Sequence, residues 1–351
     1  MESPADAASN VGSVRGLARV AMGTGLIAVF VGIGHLAAWL AGDLSRSGLT
    51  AITMKTNTAL CLTLVGTALL LLAPAQAAPA RRWSARVLAV VALAVGLLTF
   101  VENLAGWNLG IDELLAVEAP GAMAVASPNR MGMPASLGFT LASLALLIFS
   151  RRGRGGAKVG QGLALAICLI SLLAIIGFLY GAQELYGIAR YTGIAWPTAV
   201  SLLLLGMGLL CLRPTEGLMA QVTADDSGGI SLRRLLPAAV VLPLLLGWLR
   251  LAGERAGAYD SPMGTGIVML LLVLIFSALA YYVSRQASRS AKSLRENEER
   301  MRAIFDNAGV GLVEVANDDC IVVANDRLCG ILGYERRELL GKRIHDLTAP
   351  E

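Results

Sequence analysis

Apolar residues along this chain gather into blocks of roughly 18–22 positions, about the length that crosses a hydrocarbon core of ~30 Å. Eight blocks are read, near residues 20–41, 55–73, 86–105, 133–150, 160–181, 195–212, 235–252 and 263–284. Each predicts a helix, because a helix satisfies its own backbone hydrogen bonds where no water is present. The first block is too long for a cleavable leader, lacks a small-residue cleavage site and is followed by further spans. After Tyr282 the pattern changes: "SRQASRSAKSLRENEERMRAIFDNAGVGLVEV" is polar and has no Gly or Pro before Gly309. It predicts a helix that continues out of the last span. Ala287, Leu294 and Met301 recur at sevens, with Ser290, Asn297 and Ile304 at the companion positions, a weak heptad.

Three of the blocks repeat one pattern: "NTALCLTLVGTALLLL" from Asn57, "PASLGFTLASLALLIF" from Pro134 and "PTAVSLLLLGMGLLCL" from Pro197. A residue suited to a helix start comes first, and a small residue follows ten places in: Gly66, Ser143 or Gly206. Small residues let helix backbones approach closely in lipid. The unit is a helical hairpin, repeated three times, with a less similar fourth hairpin at 235–284.

Composition agrees: 56% of residues are hydrophobic and 15% charged, against about a quarter charged in soluble domains. Lys and Arg concentrate in alternate loops: Arg15 and Arg19; Arg81, Arg82 and Arg86; Arg151, Arg152, Arg154 and Lys158; Arg213, Arg233 and Arg234; Arg285, Arg289, Lys292 and Arg295. The other loops hold Arg46 and Lys55, Arg130, Arg190 and Arg255. The positive-inside bias puts both termini in the cytoplasm. Trp107, Trp196, Tyr186 and Tyr191 fall near the predicted outer boundary. The net charge of +4 reflects this loop bias and is no nucleic-acid footprint.

Candidate chemistry is sparse. The cysteines Cys61, Cys168, Cys211, Cys320 and Cys329 form no CxxC pair, which argues against a disulfide framework or a zinc site. His35 and Glu102 are ionisable groups within the apolar blocks, and such groups are functional candidates by default. His35 and His345 are the two histidines and fall in different compartments, so a bis-histidine haem is excluded. In the long outer loop at 106–132, Asp112, Glu113 and Glu118 are read as a solvated face in preference to a cation site. In the last outer loop Arg250, Glu254, Arg255, Tyr259 and Asp260 crowd together. Arg250 and Glu254, four apart, suit pairing on one helix face, as a structural clasp or a ligand-contacting patch.

Beyond residue 309 two β-rich runs, Val310–Val315 and Cys320–Asn325, predict a hairpin turning at Asn317–Asp319, followed by helical patterns in "DRLCGILGY" and "ERRELLGKRIHDL". "LRENEERMRAIFDNAGVGL" followed by "IVVANDRLCGILGYERRELLGKRIHDL" resembles the start of a PAS domain. The resemblance rests on Asn325 after the second strand, Gly333 and Tyr334 in "LGY", and Gly341 in "ELLGK". Gly309, where many members carry Pro, and Cys320, where a Gly-containing turn is common, depart from the pattern. The resemblance reads His345 as part of a PAS helix and not as a kinase phospho-acceptor. It implies a five-stranded sheet, of which two strands are present here, so the chain is expected to be a fragment or the product of a truncated gene. No cofactor is identifiable; a completed PAS domain with haem or flavin stays open. The light-sensing subgroup's reactive-cysteine motif is not present, and Cys329 is read as core.

The apolar region, with "NLGIDELL" and "LLPAAVVLPLLLGWLRLAGERAGAYDSPMGTG", is similar to the polytopic input regions that precede PAS modules in bacterial sensor histidine kinases and diguanylate cyclases. The expected architecture is an all-α polytopic membrane bundle of eight helices followed by an incomplete α+β PAS domain. Residues 1–19 form a cytoplasmic tail, 20–284 the sensory region, 285–308 a signalling helix and 309–351 the PAS part. His35, Glu102, Arg250, Glu254, Arg255 and Tyr259 are the candidate sensing residues; Leu294, Met301, Ile304 and Phe305 carry the relay. The resemblance implies a bacterial inner-membrane sensor of an unidentified small-molecule, redox or membrane signal. It would dimerise through the signalling helix and feed a kinase or, as runner-up, a cyclase. The given chain itself contains no Gly-rich phosphate loop or catalytic triad. A transporter-like protein or channel with a regulatory PAS tail, and a membrane anchor that senses nothing, stay open as alternatives.

Overall fold

The computed structural model describes residues 4–42, 52–74, 76–118, 127–151, 154–182, 193–224, 226–316 and 319–347. Its chain forms two compact units, Met1–Leu274 and Ile275–Glu351.

In the first unit the apolar blocks are helices: α1 (Pro4–Leu40), α2 (Thr56–Leu72), α3 (Pro79–Ala105), α4 (Met133–Phe149), α5 (Ala157–Tyr180) and α6 (Trp196–Leu210). A short α7 (Met219–Thr223), without counterpart in the sequence pattern, precedes α8 (Ser227–Arg255) and α9 (Ser261–Asp306). Five stretches, in α1, α3, α5, α8 and α9, are long and apolar enough to cross a membrane, while α2, α4 and α6 are shorter apolar helices. The division between the units falls inside α9.

The three repeated segments are the three short helices. Each packs against the long helix before it, α2 on α1, α4 on α3 and α6 on α5. The hairpins also join to one another through α2 with α3, α4 with α5, and α6 with α1, which closes a ring. The short helices touch each other as well, so they form its inner layer. This explains why the small residues recur. A Cβ on Gly66 would stand 3.0 Å from both the Ala28 Cβ and the Gly25 carbonyl of α1, and one on Gly206 would stand 2.6 Å from the Cys168 Sγ of α5. Ser143 at the equivalent place is fully buried. The fourth hairpin, α8–α9, contributes no buried residue to its apolar windows and stays outside this core.

The inner helices are shorter than the outer ones they pack against. Pro134 and Pro197 occupy the first turns of α4 and α6, where a missing N–H costs nothing. With 17, 17 and 15 residues they span about 22–25 Å, less than the ~30 Å core. Each is entered through extended backbone, at Lys55, Gly132 and Ala195. Protein covers this backbone: Met54, Lys55, Met131, Ile194 and Ala195 are all buried.

In the second unit, β1 (Val313–Val315) pairs antiparallel with β2 (Ile321–Ala324). Asp319 before β2 has φ 62°, a left-handed turn position. Then come α10 (Asp326–Leu332) and α11 (Arg336–Leu339). Ile321, Ala324 and Leu339 form the core, with Cys329 packed against it. Gly333 and Gly341, at φ 72° and 83°, make the turns after α10 and α11. His345 lies in a single 3-10 turn, Ile344–Leu347, rather than in a long helix.

Candidate functional site

The acids of the 106–132 segment are not a solvated face. Asp112 and Glu118 are buried, 3% exposed each, and only Glu113 of that trio is exposed. The reason is pairing. Arg130 Nε donates to Asp112 Oδ2 at 2.7 Å, and its Nη2 lies 3.7 Å from Glu102 Oε1. Lys55, at the start of α2, forms a buried ion pair with Glu118. Glu102, near the end of α3, is wholly buried and accepts from the Leu109 N–H at 2.6 Å.

Asn129 organises these groups. Its φ of 51° is a left-handed value that Asn tolerates better than most residues. Its N–H donates to Glu118 Oε2 at 2.6 Å. The side-chain amide donates to Thr56 Oγ1 at 2.7 Å and lies within bonding distance of the Asp112 and Ala116 carbonyls. Its Oδ1 accepts from the Thr56 N–H at 3.3 Å, which caps α2. Asn57 and Asn103 donate to the carbonyls of Ile111 and Met131. The network thus joins the start of α2, the end of α3 and the approach to α4. Helix N-termini carry partial positive charge that favours the nearby carboxylates.

The opposite ends of the same helices are capped by cations. Arg81 donates to the Leu70 carbonyl, Arg86 to Ser150 Oγ at 2.9 Å and to the Ser150 carbonyl at 2.8 Å, and Arg213 to the Phe149 carbonyl at 3.2 Å. These arginines serve orphan C-terminal carbonyls. A cavity of about 190 Å³ opens there, lined by Leu72, Phe149, Leu212, Arg213, Thr215 and Glu216 among others.

The other expected sensing residues fall elsewhere. His35 is half-buried, with Nδ1 2.9 Å from the Val31 carbonyl one turn back. Arg250 pairs with Glu254 at 3.4 Å and donates to Ser261 Oγ at 2.6 Å, and the Tyr259 hydroxyl donates to the Leu249 and Arg250 carbonyls. This is a clasp across the α8–α9 turn; Arg255 is exposed beside it. Among the described residues, neither set is joined to the Glu102 network by a hydrogen bond or ion pair. Arg46, Tyr186, Arg190 and Tyr191 lie outside the described residues. Lys55 and Arg130 were legible only as loop charges, and Asn129 carried no signal in the sequence.

In the second unit Asn325 is fully buried and bonded on both sides of its amide. Oδ1 accepts from the N–H groups of Leu312 and Leu328, and Nδ2 donates to the carbonyls of Phe305 and Val310, all at 2.9–3.0 Å. It therefore pins the last turn of α9 to the hairpin and to α10. Arg336 adds ion pairs to Asp306 at 3.4 Å and Asp326 at 2.7 Å. Met301 and Ile304, expected as relay positions, are exposed on α9, and Phe305 is half-buried. Leu294 lies in α9, within the helical run.

The family model for the PAS fold matches residues 299–351, so a PAS domain is found there. No curated protein and no solved structure matches the chain. A PAS domain points to a signalling or sensory role, and the apolar helices are suited to a membrane.

Proposed function

We propose that this chain is the membrane-embedded input portion of a bacterial signal-transduction protein. All eight apolar helices cross the inner membrane in this reading, with both termini cytoplasmic and the Glu102–Arg130 network facing outward. The observation that carries the proposal is that charged network, enclosed by protein at the N-termini of short inner helices, in a chain that also holds a PAS domain. Enclosed charges on irregular backbone between helices are where membrane proteins bind small solutes. A signal acts by binding two arrangements of the bundle unequally. Helix α9, which runs from the turn at Ser261 to Asp306, is the covalent route to the PAS module, and two copies pair along it. A histidine kinase is the preferred output and a diguanylate cyclase the second.

The test uses the full chain in membranes, with Cys320 and Cys329 replaced by Ser and Ile304→Cys as a reporter of pairing along α9. Arg130→Gln is expected to change the rate of intermolecular disulfide formation at that position. An unchanged rate in a folded variant sinks the reading.

A transporter-like function is favoured by the closed ring of repeated hairpins and by the buried hydroxyls of Thr99, Ser143 and Ser171, which have no hydrogen-bond partner. Solute flux through the full chain in proteoliposomes decides for it.

A further inference from the structure

The buried network is unbalanced. Glu102, Asp112 and Glu118 face Lys55 and Arg130, so among the described residues three carboxylates share two cations. An uncompensated charge away from water is expensive and is normally removed. The neighbouring helices offer nothing further: the segments of α2 and α4 contain no charged residue, and Glu113 is exposed. The three carboxylates are not equally served. Glu118 has Lys55 and the Asn129 N–H, and Asp112 has Arg130 at 2.7 Å. Glu102 has the Leu109 N–H at Oε1 but Arg130 only at 3.7 Å, and its Oε2 has no hydrogen-bond partner although the residue is 0% exposed. Asp112 Oδ1 and Arg130 Nη2 are also without hydrogen-bond partners.

We infer that Glu102 is a proton-binding site: a proton taken from the outer side bonds to Oε2 and brings the network to neutrality. This rests on the sensory reading above and names its ligand. A trapped water molecule would satisfy the orphan atoms but leave the charge. A proton removes the charge and makes Oε2 a donor. Its loss restores a negative charge beside Asp112 and draws Arg130 away from a single partner. The two protonation states therefore favour different placements of Arg130 between the end of α3 and the approach to α4.

The test is an infrared titration of the full chain in lipid nanodiscs, reading the C=O stretch of a protonated carboxyl group. Wild-type protein is expected to show such a band, lost as pH rises. Glu102→Gln abolishes it, while Glu113→Gln leaves it. Asp112→Asn removes the repelling carboxylate and frees Arg130 for Glu102, so the band is lost at a pH lower by about one unit or more. Should Glu102→Gln fail to fold, the Asp112→Asn shift decides. A wild type with no titrating carboxyl band, a band that persists in Glu102→Gln, or an unmoved band in Asp112→Asn overturns the inference. The infrared signal is independent of pairing along α9. If it fails while the Ile304→Cys reporter still responds to Arg130→Gln, the sensory reading stands with another ligand. A proton band without that response leaves a protonation site and sinks the sensory role.

Discussion

Arg130 Nε donates to Asp112 Oδ2 at 2.7 Å, with both side chains almost completely enclosed by protein. The pair lies between two consecutive apolar helices, and its members are 18 positions apart in the chain. Its stabilising role is conditional. A buried ion pair contributes little over an apolar substitute, but removal of one member leaves the other charged and dry.

Arg130→Gln is therefore expected to lower stability by about 3–5 kcal/mol. Thermal unfolding of the detergent-solubilised protein measures it. Adding Asp112→Asn to that variant should recover part of the loss, since it removes the stranded carboxylate. Two losses that simply add would show that the pair is not coupled.

The apolar helices were legible because hydropathy and length report one property, the cost of exposing side chains and backbone to lipid. The hairpin pairing followed from the repeated pattern around Gly66, Ser143 and Gly206. The charged network was not legible. Lys55, Glu102, Asp112, Glu118 and Arg130 are spread over 76 positions in the chain, and what joins them is the meeting of two hairpins around Asn129. Arg130 and Lys55 each look like a loop charge until their partners are placed. The Asn325, Gly333 and Gly341 pattern was legible for the opposite reason, since a local cap and two left-handed turns fix those residue types.

Helix contact in the inner layer depends on Gly206. A Cβ there meets Cys168 Sγ at 2.6 Å and the Ala164 carbonyl at 3.1 Å, so Gly206→Val must push α6 off α5. The expected cost is about 1–3 kcal/mol, the usual range for overpacking. Gly162, on the same α5, has nothing within 4 Å of its Cβ position and serves as the control. Melting temperatures of Gly206→Val and Gly162→Val should differ clearly. Equal values would mean that the α5–α6 approach is not tight.

The α8–α9 clasp is a smaller effect. Tyr259→Phe removes a hydroxyl that donates to the Leu249 and Arg250 carbonyls at 3.2 and 3.0 Å, while its ring keeps its place beside Gly253 and Gly264. About 1 kcal/mol is the typical net worth of such a bond. Amide hydrogen exchange at residues 256–260 should quicken severalfold with no change in the inner helices. Unaltered exchange at the turn would show that the hydroxyl is dispensable to it.

Asn325→Asp separates the two faces of the Asn325 amide. The carboxylate keeps the acceptor that serves Leu312 and Leu328, so the α10 cap survives. It loses both donors and sets an anion against the carbonyls of Phe305 and Val310, each about 2.9–3.0 Å away. A buried polar group stripped of its partner costs about 1–3 kcal/mol, more when it is charged. The last turn of α9 should therefore loosen before the hairpin does. Exchange of the amides at 303–307 is expected to rise at neutral pH and to fall again in acid, where the carboxyl regains a proton and a donor. If exchange at 303–307 matched the wild type at every pH, the end of α9 would be held by other contacts, Arg336 with Asp306 foremost among them.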